Sequence, residues 1–211
     1  MRKLLICLLL LSGCGTTTST IKLLNEEEAD TVRTEASCSD PVLRVSYLHK
    51  DGMTSDRGTG TLVKHRGQLI VLSAYHVFSD PNGETIELYT VDNWKIKFTL
   101  VKTKIFADCD IIAIYVKDMT VNVKPMAVGS AKLDSTVTAV GYPDNREQVH
   151  NSGKVINIEI EASARVRSGM SGGPLVVNKR IVGVTTKTLL SSRRGNGGVH
   201  VPIEKILELL R

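Results

Sequence analysis

The stretch GMSGGPLVVNKRIVGVTT, residues 169–186, places one serine, Ser171, among three glycines and follows it with two short runs rich in Val and Ile. Glycine reaches backbone angles that other residues avoid, so the first six residues predict a tight turn. The runs PLVV and RIVGVTT have the composition of β-strands. The stretch therefore indicates a β-rich fold, and Ser171 needs chemical partners before it can be interpreted as a nucleophile.

Short strands are predicted along the rest of the chain from Pro41 onward. Segments such as VLRVSYL (42–48), QLIVLSA (68–74) and TVTAVGY (136–142) are rich in Val, Ile and Thr and are bounded by turn residues. Only PIEKILELL (202–210) has helical spacing. About ten to twelve short strands with one terminal helix indicate an antiparallel barrel or sandwich, and this number would fill two small barrels.

The N-terminal end reads as a secretion signal. Arg2 and Lys3 precede an apolar run from Leu4 to Leu11, which is far shorter than the ~20 residues that cross a bilayer. Leu11 to Cys14 form the sequence LSGC, which resembles the lipobox of bacterial lipoproteins. An ordinary signal peptide with an incidental cysteine is the alternative.

The resemblance to lipoproteins implies that Cys14 is acylated and becomes the mature N-terminus. Residues 1–13 are then a lipoprotein signal peptide and residues 14–37 a lipidated tether. Several acyl chains would hold the protein firmly on a membrane, which implies a location in the bacterial cell envelope, facing the periplasm or the outside.

Charge and composition give few hints of other partners. The formal net charge of +5 includes Arg2 and Lys3 of the signal, and the small remaining excess gives no argument for nucleic acid. The pair Arg193-Arg194 is interpreted as a solvated loop tip. We expect a monomer, with no cofactor and no metal.

Two residues could activate Ser171, because a serine hydroxyl needs a base to take its proton. His76 directly follows the apolar strand in LIVLSAYHVF, and Asp110 opens DIIAIYV, where an acid has no obvious packing role. Taken singly, His76 could equally be a core or surface histidine, and Asp110 a strand-end cap. Asp108 is the alternative acid, two residues earlier on the same predicted strand face.

The order His76, Asp110, Ser171, together with SAYHV, CDIIAIYV and GMSGGP, resembles the chymotrypsin-like serine proteases. The likeness covers roughly residues 41–211 and is closest to the protease domain of the high-temperature-requirement (HtrA) family and to bacterial glutamyl endopeptidases. It implies an all-β fold of two antiparallel six-stranded barrels with a short C-terminal helix. The implied boundaries are 38–211 for the protease domain, about 38–120 and 121–201 for the barrels, and 202–211 for the helix.

The resemblance implies peptide-bond hydrolysis by acyl transfer on a protein or peptide substrate. His76 would take the proton of Ser171, Asp110 would fix the imidazole tautomer, and the backbone N–H groups of Gly169 and Ser171 would hold the oxyanion. A catalytically silent relative that binds a protein partner through the same cleft is the alternative function.

The α/β hydrolases are the main rival family, because Gly169–Gly173 also satisfies G-x-S-x-G. That fold requires an acid and then a histidine after the serine. Here Glu204 lies beyond His200, in the wrong order, so this family is disfavoured.

The resemblance also suggests a substrate pocket. Its base would be Arg165, about six residues before the nucleophile, and its walls would be drawn from Thr185, Thr186 and Lys187. A pocket that binds Lys or Arg requires a carboxylate at its base, and the sequence places none at these positions. Small aliphatic side chains are the default, and an acidic side chain paired with Arg165 is the alternative.

Cys38 and Cys109 are the cysteines outside the signal and the lipobox. In an oxidising envelope they could form a disulfide that closes a long loop and contributes ~4 kcal/mol of stability. Two unpaired thiols are equally compatible with the sequence.

Overall fold

The computed structural model describes residues 40–80, 82–157, 161–191 and 195–211, without the side chains of 145, 189–191 and 195–196. The predicted signal peptide and tether, Cys14, Cys38 and the Arg193-Arg194 tip lie outside the described residues. Within the described part, no helix is long and apolar enough to span a membrane.

The first sheet is antiparallel and contains seven strands in the order β5-β4-β1-β2-β3-β7-β6. Its inward-facing residues are Val, Leu and Ile, such as Leu43, Val45 and Leu62, which are fully buried. The bounds are β1 Val42–His49, β2 Ser55–His65, β3 Gln68–Ala74, β4 Gly83–Tyr89, β5 Lys95–Ile96, β6 Thr99–Phe106 and β7 Ile111–Lys117.

The second sheet follows in sequence and has the order β10-β9-β12-β13-β14-β11, with the short β8 paired in parallel to β13. Its own core includes Val137, Leu175 and Val182. The bounds are β8 Ala127–Val128, β9 Thr136–Gly141, β10 Val149–Lys154, β11 Glu161–Ala162, β12 Pro174–Val177, β13 Arg180–Ser191 and β14 Gly195–Pro202.

One short α-helix, α1 (Ile203–Leu209), ends the chain and packs at the junction of the two sheets. Its Ile203 and Ile206 are fully buried in a cluster that joins Ile70 of the first sheet to Ile181 of the second. The apolar spacing of the helix therefore serves to hold the two halves of the domain together.

The predicted all-β fold, with two curled antiparallel sheets and a C-terminal helix, is confirmed. Each sheet has seven strands among the described residues, where the resemblance implied six. The first sheet gains a strand because KIKFTLV (95–101), which the sequence indicates as one strand, is divided between β5 and β6. The second sheet contains the two-residue strands β8 and β11, and pairs of residues are too short for alternation to reveal.

Candidate active site

His76 lies at the end of β3, in a 3₁₀ turn over Tyr75–Phe78. Its ring Nδ1 lies 2.7 Å from Asp110 Oδ2, and its backbone N–H donates to Asp110 Oδ1 at 2.8 Å. The N–H of Tyr75 also donates to the carbonyl of Asp110 at 2.9 Å. Because the carboxylate accepts the Nδ1 proton, Nε2 is left as the basic nitrogen of the ring.

Asp110 follows a second 3₁₀ turn (Ala107–Cys109) and immediately precedes β7. Its backbone is left-handed, with φ of 56°, so its carboxylate departs from the alternation of the strand. Asp108 lies inside that 3₁₀ turn and is exposed. The expectation that Asp108 shares a strand face with Asp110 is wrong, because the turn replaces the strand at this point.

Ser171 lies in a turn that only glycine allows. Gly169 and Gly172 have φ of 84° and 86°. A Cβ added at Gly172 would lie 2.0 Å from the carbonyl oxygen of Thr59 and 2.2 Å from Ser73 Oγ. The glycines therefore permit both the backbone angles and the close approach of the first sheet.

Most backbone groups of this turn are held by hydrogen bonds. Thr59 of β2 contributes twice: its N–H donates to the carbonyl of Ser171 at 2.8 Å, and its Oγ1 donates to the carbonyl of Gly169 at 2.8 Å. The other bonds are Asp144 N–H to Ser168 O, Met170 N–H to Arg167 O, Gly173 N–H to Met170 O, Gly172 N–H to Thr185 O and Thr185 N–H to Gly173 O.

Among the N–H groups of residues 169–173, those of Gly169 and Ser171 are the exception. Neither donates a hydrogen bond to any group in the described part of the chain. These are the two donors that the resemblance to chymotrypsin-like proteases implied for an oxyanion hole. In a turn that is otherwise fixed, two free donors beside a serine hydroxyl can stabilise a developing oxyanion without reorganisation.

The candidate catalytic residues line one cavity of about 650 Å³. Its lining includes His76, Asp110 and Ser171, so the three candidate catalytic side chains from both sheets share one cleft. The remaining lining residues are Ala107, Arg167, Ser168, Thr186, Lys187 and Thr188.

The predicted substrate pocket is only partly present in this lining. Thr186 and Lys187 contribute to it, whereas Arg165 does not. Arg165 is exposed beside the buried Val166, and its carbonyl accepts a hydrogen bond from Asn151 Nδ2 at 2.6 Å. Arg167, which is also exposed, is the arginine that the structure brings to the cleft.

Thr185 is fully buried, and its Oγ1 lies 3.0 Å from His200 Nδ1. Burial lowers the pKa of His200 to about 3, so the ring is neutral near neutral pH. Sequence reasoning gave His200 no role, since a histidine between apolar residues in GVHVPI is an ordinary core pattern. Its partner, 15 residues away in β13, could not be read from the sequence.

The disulfide stays a prediction. Cys109 is half-buried, and Cys38, its proposed partner, lies outside the described residues.

The chain belongs to the family of trypsin-like peptidase domains, whose model matches residues 58–184. Among solved structures it is similar to the serine endoprotease from Yersinia pestis, at a TM-score of 0.67 and 19% identity. That match covers 89% of this chain and 66% of the other, and at this identity it shows the fold alone. No curated protein is matched by the sequence.

Proposed function

We propose that the protein is a serine endopeptidase that uses His76, Asp110 and Ser171. The observation that carries the proposal is the turn around Ser171. In it the N–H groups of Gly169 and Ser171 have no partner in the described chain, whereas those of Met170, Gly172 and Gly173 are bonded. The same cleft holds the His76–Asp110 pair at 2.7 Å. The family supports a peptide as substrate.

The proposed reaction begins when Ser171 Oγ attacks the carbonyl carbon of a peptide bond and gives its proton to His76 Nε2. The C–O bond forms, and the carbonyl electrons move to the oxyanion, which the two free N–H groups bind. His76 then protonates the leaving amine as the C–N bond breaks. Water repeats the sequence on the acyl-enzyme and regenerates Ser171.

The charges around the cleft bear on substrate choice. Arg167 and Lys187 line the cleft. Asp110 carries the one carboxylate among the lining residues, and that carboxylate is hydrogen-bonded to His76. A cationic substrate side chain would meet like charges there and find no free carboxylate. We therefore propose that cleavage after Lys or Arg is disfavoured.

Labelling with a fluorophosphonate probe tests the proposed activity without requiring the natural substrate. The wild-type protein should be labelled covalently, and Ser171→Ala should not be labelled, because the probe reacts only with an activated serine. Ser152→Ala is the matched control, since Ser152 is exposed on β10. A folded wild type that resists the probe would point instead to the silent relative that binds a partner through the cleft.

We also propose that acylated Cys14 anchors the enzyme to an envelope membrane, which rests on the LSGC motif alone. Cys14→Ser, with its signal still removed, should move the protein from the membrane fraction to the soluble envelope fraction, because the acyl chains supply the membrane affinity. Cys109→Ser is the matched control. Unchanged membrane association of the Cys14→Ser protein would exclude this anchor.

A further inference from the structure

A second cluster of ionisable side chains lies away from the cleft. His49 is the last residue of β1, Asp56 lies in β2, and Asp80 follows the 3₁₀ turn that carries His76. His49 Nε2 lies 3.0 Å from Asp56 Oδ2 and 3.7 Å from Asp80 Oδ2. One nitrogen and one oxygen from each aspartate all lie within 4.8 Å of one another.

The other ring nitrogen of His49 is held by Thr54. Thr54 Oγ1 donates its single proton to Asp51 Oδ2 at 2.7 Å. The same oxygen lies 3.0 Å from His49 Nδ1 and can only accept there. Nδ1 therefore carries a proton, and in the neutral ring the lone pair of Nε2 faces two carboxylates.

The two carboxylates favour positive charge between them, and the pKa of His49 is raised chiefly by its hydrogen bond to Asp56. A proton on Nε2 can be donated to Asp56 at 3.0 Å, but Asp80 at 3.7 Å is beyond hydrogen-bond reach. A divalent ion placed between them would contact all three atoms and balance the charge of two carboxylates. Metal–ligand bonds of about 2.0–2.2 Å in a tetrahedron place ligand atoms roughly 3.3–3.6 Å apart, which is between the two distances observed from His49 Nε2.

The surroundings of the three atoms are also those of a metal site. Metal-binding histidines donate their second N–H to an oxygen that is itself held in place, as Thr54 is by Asp51. Asp80 Oδ1 accepts the N–H of Asn82 at 2.7 Å, which leaves Oδ2 for a ligand bond. The His49 side chain is 18% exposed, so its ring is positioned by the protein while the site stays accessible.

We propose that His49 Nε2, Asp56 Oδ2 and Asp80 Oδ2 form a binding site for a divalent metal of the zinc class, with water completing the coordination. The metal would join the β1–β2 hairpin to the segment that follows the His76 turn and would stabilise that side of the first sheet. This site departs from the sequence-based expectation of no metal, and it does not depend on the proposed peptidase activity.

Zn²⁺ titration of the chelator-treated full chain by calorimetry, together with the visible spectrum of its Co²⁺ form, tests the site. The wild type should bind one ion per chain with a tetrahedral Co²⁺ band and a raised Tm. His49→Gln and Asp80→Asn should weaken binding by about 100-fold or more, and Thr54→Val, which removes the oxygen behind Nδ1, by about 10–100-fold.

Two histidine variants separate this site from others. His150→Gln replaces an exposed histidine of β10, and His76→Gln removes the histidine of the cleft; both should retain the Co²⁺ band and the Zn²⁺ affinity. The Tm of each metal-free variant, compared with metal-free wild type, shows whether it is folded. Absence of binding by the wild type, or wild-type affinity in folded His49→Gln, would overturn the proposal.

Discussion

Asp110→Asn is expected to lower kcat for peptide cleavage by about 10⁴-fold, and His76→Ala by about 10⁶-fold. Asp110 accepts two bonds from His76, from its backbone N–H and from Nδ1. An asparagine can accept only through its carbonyl oxygen. Its NH₂ group would either face one of these two N–H donors or favour the ring tautomer in which Nδ1 is the acceptor. In that tautomer Nε2 carries the proton and cannot act as the base.

Steady-state hydrolysis of a fluorogenic peptide measures this loss for each purified variant. Asp108→Asn is the matched control, because Asp108 lies two residues away in the 3₁₀ turn and is exposed; its kcat should stay near the wild-type value. A large loss in Asp108→Asn together with near wild-type activity in Asp110→Asn would reverse the assignment of the acid. Thermal unfolding of both variants shows whether any loss comes from misfolding.

Local sequence patterns gave the fold because they act over short distances. The apolar runs that became β3 and β7, and the glycines around Ser171, each carry their own signal. The two-residue β8 carries none, since it pairs with β13, where Ala127 lies opposite Arg180 from a distant part of the chain.

The parts of the site that could not be predicted are those set by long-range contacts. Thr59 and Gly169 are 110 residues apart in sequence and share a hydrogen bond. Arg165 was predicted to form the base of the substrate pocket because it lies about six residues before Ser171 in the sequence. The structure places Arg165 beside Asn151 of β10, and the cleft is lined by Arg167 instead.

Thr59 is a buried link between the first sheet and the turn that holds Ser171. Its Oγ1 donates to the carbonyl of Gly169 at 2.8 Å and accepts from the N–H of Tyr142 at 3.0 Å. The carbonyl of Gly169 belongs to the peptide group between the two proposed oxyanion donors. Thr59 therefore positions those donors without touching the substrate.

Thr59→Val keeps the shape of the side chain and removes only the hydroxyl. The part-buried carbonyl of Gly169 and the buried N–H of Tyr142 each lose this hydrogen bond, at up to about 1–3 kcal/mol for a buried group, and the Gly169 carbonyl can then turn. We expect kcat to fall by about 10²–10³-fold, similar to the loss of one oxyanion donor, with little change in KM. Thr59→Ser, which keeps the hydroxyl, should restore most of the activity.

Thr61→Val is the control for this variant, because Thr61 is equally buried on β2 and its Oγ1 has no partner among the described residues. Removing that hydroxyl should leave both kcat and Tm near the wild-type values or raise Tm, since no hydrogen bond is lost. The decisive measurement is kcat and KM, determined separately for the three variants at a temperature where all are folded. If Thr59→Val lost stability but kept the wild-type kcat, Thr59 would be a purely structural residue and the turn would be held by its other bonds.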